Sequence, residues 1–134
     1  MAAILDKIHA PRLTPVARGG LGFIKYWLPV IIYAIIIFYF SSLPGEDIPA
    51  LFPCQDVAFH VIEYTILAFL FNRAMKGYYP GFVYKKRFFF ILLFCVLYAL
   101  SDEFHQAFVP NRTPSLLDVT YDGLGVCIAN FLYR

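Results

Sequence analysis

The sequence predicts an all-α integral membrane protein folded as a four-helix bundle, and three observations carry that expectation. Hydrophobic residues make up 60% of the 134 and charged residues 15%, with a mean hydropathy of +0.67; a soluble domain has roughly 45–50% and 25%. Four apolar runs are separated by breaks rich in Pro, Gly and charge, each run close to the ~20 residues that a bilayer core requires. The charges are sorted, with cations in one set of breaks and acids in the other. A formal net charge of +2, with no basic run interleaved with aromatics in a soluble setting, excludes nucleic acid as a partner and leaves membrane lipids as the surroundings.

Residues 1–22 contain Pro11, Pro15 and a Gly19-Gly20-x-Gly22 break, and read as a cytoplasmic N-terminal arm preceding a membrane domain of residues 23–134. Ile4, Leu5, Ile8 and Leu13 let that arm lie on the membrane. Lys7, Arg12 and Arg18 precede the first apolar run, and no small-residue cleavage site follows it, so no signal peptide is expected. The first span is Phe23 to Phe40, in which Pro29 is tolerable where a neighbouring helix satisfies the freed carbonyl. Ser41-Ser42-Leu43-Pro44-Gly45 ends it.

Asp56 is the expected N-cap of a second helix that runs to about Arg73. A basic loop from Lys76 to Arg87 leads to a third helix, which starts near Phe88 and continues as far as Phe108 before Pro110 stops it. Ser115-x-x-Asp118 reads as a capping box opening a fourth helix that ends at Tyr133-Arg134. Cys54, Cys95 and Cys127 have no metal-type spacing, and no disulfide framework is expected from them.

Orientation follows from the cations. Lys7, Arg12, Arg18, Lys25, Arg73, Lys76, Lys85, Lys86, Arg87 and Arg134 place ten of the eleven basic residues on one side, leaving only Arg112 on the other. The positive-inside rule makes that side cytoplasmic. Both termini then lie inside a multi-pass plasma-membrane protein, and every acid except Asp6 gathers at the outer face.

At that face His60, Glu63 and Tyr64 share one helical stripe. Asp102, His105 and Gln106 share another, with Tyr98 one turn deeper, and Asp118 and Asp122 stack on a third. Facing lipid is costly for such groups, so the stripes are expected to converge inside the bundle. Three chemistries fit: a divalent metal held between a His-x-x-Glu and an Asp-x-x-His stripe, a general base made of His60 or His105 oriented by a carboxylate, or recognition of an anionic head group by Arg112, His60 and His105. His60, Glu63, Asp102 and His105 are the candidate catalytic residues, and Tyr64, Glu103, Gln106, Arg112, Asp118 and Asp122 the candidate ligand-binding residues. Plainer roles stand beside these: Asp118 as a capping-box acid, Tyr64 and Tyr98 as interface aromatics, Glu103 as partner of Arg112 or of the fourth helix's N-terminus, and the whole network as a lock between helices.

Ser41-Ser42-Leu43-Pro44, Asp56-x-x-x-His60-x-x-x-Tyr64-x-x-Leu67, Ser101-Asp-Glu-x-His-Gln-x-Phe-Val-Pro110-x-Arg112 and Asp118-Val119 together resemble the VanZ-like family over residues 35 to 134. These are small bacterial and archaeal membrane proteins named for a member tied to teicoplanin resistance. The resemblance implies a four-helix membrane domain and a role at the cell envelope. Three positions depart from the family pattern: Val57 stands where Lys is usual, Asn111 where Gly is usual, and Asp122 where Asn is usual. An added acid and a missing base make the site more negative, which favours a cation or a positively charged ligand. The expected function is an outward-facing His/carboxylate pocket that binds or acts on a cell-envelope lipid or peptidoglycan-linked group. The alternative is a non-enzymatic scaffold or partner-binding protein, with transport a weaker third because paired broken helices are absent.

Overall fold

The computed structural model describes residues 19–134, so most of the N-terminal arm expected over 1–22 lies outside the described residues. Four α-helices follow one another: α1 (Gly20–Ser41), α2 (Gln55–Tyr78), α3 (Tyr84–Gln106) and α4 (Leu116–Leu132), with a 3-10 turn at Gly45–Asp47. The described residues contain no strand. α2 and α4 share the most extensive seam; α1 packs on α2, and α3 closes over both α4 and α2.

Helices α1, α2 and α3, of 22, 24 and 23 residues, are long and apolar enough to cross a membrane. α4 has 17 residues and reaches about 25 Å. The large side chains turned outward, among them Ile24, Leu28, Ile35, Phe89, Leu93 and Leu97, are exposed hydrocarbon, as lipid-facing positions must be. The interior is built from smaller groups around a few large ones: Ala68, Ala74, Cys95, Ala99 and Ala129 beside Tyr64, Leu67, Phe71 and Ile91.

Several boundaries differ from the sequence expectation. α1 begins at Gly20 and takes in the last residues assigned to the arm. α2 runs on to Tyr78 and α3 starts at Tyr84, so the expected twelve-residue basic loop contracts to residues 79–83. Pro80-Gly81 is the actual breaker, and the cations flanking it are compatible with helix because their charged ends reach water. Asp56 is not an N-cap: Cys54 occupies that position in the left-handed region (φ 59) with no side-chain cap, and Asp56 sits in the first turn of α2, where a carboxylate still favours the helix dipole. The chain before α2 is tied by Gln55, which accepts from Leu51 N at 2.6 Å and donates to Pro49 O at 2.9 Å.

Pro29 stays inside an unbroken α1. A proline lacks an N–H, so it strands the carbonyl four residues earlier, here Lys25 O, and Arg73 Nη1 of α2 donates to that oxygen at 3.2 Å. The neighbouring helix thus supplies the missing donor.

The basic end carries a polar network that the sequence reading did not single out. Arg87 Nε donates to Asn72 Oδ1 at 3.1 Å, and Asn72 Nδ2 donates to Asn130 Oδ1 at 2.9 Å. All three side chains are buried. Each amide also returns a hydrogen bond to the carbonyl one turn back, Ala68 O and Val126 O, so α2, α3 and α4 are pinned together here. A lone Asn in an apolar run was the available signal, because a buried amide in hydrocarbon requires a partner.

Candidate functional site

At the acidic end the α1–α2 loop folds over the bundle and docks on the α3–α4 loop. Gly45 N donates to Pro110 O at 3.1 Å, and a Cβ on Gly45 would lie 2.0 Å from Asn111 O. Asn111 has φ 57, a conformation that Gly and Asn adopt most readily, which accounts for Asn at a position where Gly is usual. Arg112 fastens the same junction: Nε donates to Leu43 O at 3.1 Å and Nη2 to Phe40 O at 2.9 Å. A cation bonded to the last carbonyls of a helix is favourable. Two donors of the fork once available for an anion are therefore committed to the end of α1.

Beneath this loop lies a cavity of about 440 Å³. Phe40, Leu43, Ile48, Pro49, Leu51 and Phe59 supply its apolar lining, and His60, Glu63, Asp102, Gln106 and Arg112 its polar lining, with Asp47 and Asp56 also on it. Asp102 is 5% exposed. Its Oδ2 accepts from Gln106 Nε2 at 3.3 Å, and the same amide nitrogen lies 3.0 Å from Ser41 Oγ. Asp102 Oδ1 is buried and has no partner. Ser41 and the α1–α2 loop were not among the predicted site residues; sequence periodicity cannot show which loop folds back over a helix end.

Behind His60 lies a second cluster. His60 Nδ1 is 2.9 Å from Asp122 Oδ1, and His60 Nε2 is 3.8 Å from Asp118 Oδ2. A carboxylate only accepts, so Nδ1–H is the donor toward Asp122. Glu103, also 5% exposed, accepts the Ser115 backbone N–H on Oε2 at 2.6 Å, while its Oε1 is buried without a partner. Ser115 does cap α4, its hydroxyl accepting from Leu117 N at 3.1 Å. The reciprocal bond of a capping box goes to Glu103 on α3 in place of Asp118, which leaves Asp118 facing His60.

The predicted stripes therefore converge in part. His60, Glu63, Asp102, Gln106 and Arg112 meet at the cavity; Asp118, Asp122 and Glu103 gather behind it around His60. Tyr64 is sealed in the core at 1% exposure, its ring 6.3 Å from that of Tyr98, and Tyr98 donates to Ala34 O at 2.6 Å. His105 departs furthest. Its ring lies 4.5 Å from that of Phe38, and its Nε2 is 3.1 Å from Ser42 Oγ. The Ser42 hydroxyl already donates to Phe38 O at 2.6 Å, so it accepts from His105. The helix turn between residues 102 and 105 carries this imidazole toward α1 and off the cavity lining. Among the described residues, the ligand atoms that lie within 4.8 Å of one another belong to His60, Glu103 and Asp118, a different set from the one drawn from the His60/Glu63 and Asp102/His105 stripes.

No curated protein and no solved structure matches this chain. A sequence model of the VanZ/LLP1 family matches residues 26–134, which takes in all of the cavity and the cluster behind it. Spanning most of the chain, that match identifies this helical membrane protein as a member of the VanZ/LLP1 family.

Proposed function

We propose that the protein is a plasma-membrane receptor for a lipid-linked cell-envelope group, such as a peptidoglycan precursor, held at its outward-facing acidic end. Orientation rests on the cations: Lys25, Arg73, Lys76, Lys85, Lys86, Arg87 and Arg134 all lie at the opposite end, which the positive-inside rule assigns to the cytoplasm. The cavity has the character of its ligand. Part of its lining is hydrocarbon, suited to an acyl or isoprenoid chain, and part is rich in acceptors, suited to hydroxyls, amides and amines.

The observation that carries this reading is the Asp102 carboxylate, 5% exposed beside the cavity, whose Oδ1 makes no hydrogen bond of ordinary geometry. Buried polar atoms without partners are rare and costly, and a head-group hydroxyl or amine would supply the missing donor. Binding is favoured over turnover because His105 is engaged with Ser42 and lies off the cavity lining, while His60, although Asp122 orients it as a base would be oriented, turns its Nε2 toward Asp118. On this reading, teicoplanin resistance follows from masking an envelope group.

The test is expression in a teicoplanin-susceptible host, with membrane insertion checked by immunoblot and capture of a lipid-linked disaccharide-peptide probe followed by native mass spectrometry. Asp102→Asn and Glu63→Gln are expected to lose both protection and probe, whereas His105→Ala retains them. Full protection and capture by both inserted carboxylate variants would sink the proposal. The inter-helix bonds of His60, Glu103 and Tyr98 favour the scaffold as the second reading; under it, Asp102→Asn is silent and only variants that loosen the bundle lose function.

A further inference from the structure

We propose that His60, Glu103 and Asp118 form a binding site for one divalent first-row transition-metal ion, with Asp122 orienting the imidazole. The three donors come from α2, α3 and α4, and their ligand atoms lie within 4.8 Å of one another. The His60–Asp122 hydrogen bond of 2.9 Å fixes the tautomer, because a proton on Nδ1 leaves the Nε2 lone pair free. On that neutral tautomer the lone pair faces Asp118 Oδ2 at 3.8 Å, too far for a hydrogen bond and wide enough for an ion to lie between the two atoms. Metal–nitrogen and metal–oxygen bonds of about 2.0–2.2 Å put two donors on one ion roughly 3–4 Å apart, so this gap fits with little movement.

Glu103 gives independent support. It is 5% exposed, its Oε2 is held by Ser115 N, and its Oε1 is buried with no partner: an oriented carboxylate with a lone pair to give. A metal-bound histidine whose other nitrogen donates to a carboxylate is a recurring arrangement, and Asp122 supplies that carboxylate. The charge balance agrees. Three carboxylates surround one imidazole, while Arg112 is tied to Phe40 O in α1 and Leu43 O just beyond it. One imidazole with two carboxylates suits zinc or manganese better than magnesium or calcium, which prefer all-oxygen sites. The ion would tie three helices at the acidic end and immobilise the His60 ring on the cavity wall, independently of what the cavity binds.

The experiment uses tag-free full-length protein purified in detergent, stripped with a chelator and titrated calorimetrically with zinc and with manganese, alongside elemental analysis before stripping. The expected result is one ion per chain, a rise in Tm on adding the ion, and at least a tenfold loss of affinity in each of Glu103→Gln and Asp118→Asn. Glu103→Gln keeps an amide oxygen for Ser115 N–H, so the cap on α4 survives the change. Cys54→Ser and Glu46→Gln, an exposed thiol and an acid of the same end outside the cluster, retain full binding. Absence of a stoichiometric ion from the wild type, binding that survives both cluster variants, or loss of binding in Cys54→Ser would each overturn the site. The envelope reading is tested at Asp102 and Glu63, so the two proposals fail separately.

Discussion

Replacing Gly125 with Ala tests whether the α2–α4 seam sets the geometry of the acidic end. A Cβ at that position would lie 2.4 Å from Val61 O and 3.0 Å from Thr65 N. A carbon–oxygen contact settles at about 3.3 Å or more, so the two helices must part by roughly 1 Å. The obstacle is backbone, which has no rotamer to escape through. Overpacking of this kind costs about 1–3 kcal/mol. The Thr65 hydroxyl donates to Val61 O at 2.6 Å and shares its proton with Gly125 O at 3.1 Å; parting the helices ends the second contact, at up to roughly 0.6 kcal/mol for a bond between membrane helices. Against this, an interior helical Gly→Ala change gains about 1 kcal/mol. The net loss is therefore about 1–3 kcal/mol. Gly123→Ala is the matched control, since its Cβ meets nothing within 4 Å and only the gain applies. Unfolding by SDS titration in mixed micelles should separate the two variants by about 2–4 kcal/mol, the summed overpacking and hydrogen-bond costs. Equal unfolding free energies would refute the close seam.

The polar network at the basic end predicts that Asn72→Ala, which strands both Arg87 and Asn130, costs about 2–3 kcal/mol in the same unfolding assay. In a double-mutant cycle with Arg87→Met it should show a coupling of roughly 1–2 kcal/mol, and additive losses would dissolve the network. Topology is read from single-cysteine variants: Cys54 is exposed at the acidic end and should react with a membrane-impermeant maleimide in intact cells. Labelling only after the membrane is opened would invert the assigned orientation.

What was legible in the sequence and what was not divides along a physical line. Helix number, membrane character and the clustering of His60, Glu63, Asp102 and Gln106 follow from periodicity and from the cost of polar groups in hydrocarbon, because both are local properties of an apolar run. The need of Pro29 for a donor was legible for the same reason, although Arg73 as the donor was not. Contacts fixed by azimuth and loop path were hidden. His105 and Asp102 share a stripe on paper, yet the offset of three residues is enough to send one imidazole to Ser42 and Phe38 while the carboxylate stays on the cavity.

Glu103 shows the opposite case. The sequence leaves its structural role open between Arg112 and the N-terminus of α4, and its bond to Ser115 N decides for the second. The second oxygen of the same carboxylate is buried without a partner, and the carboxylate lies within reach of His60 and Asp118. A capping acid with one free buried oxygen has a use beyond capping, because a neutral cap such as Gln would secure the helix without placing a third negative charge near one imidazole. The charge is what the cap does not require, and the proposed metal ion would be the partner that makes it favourable.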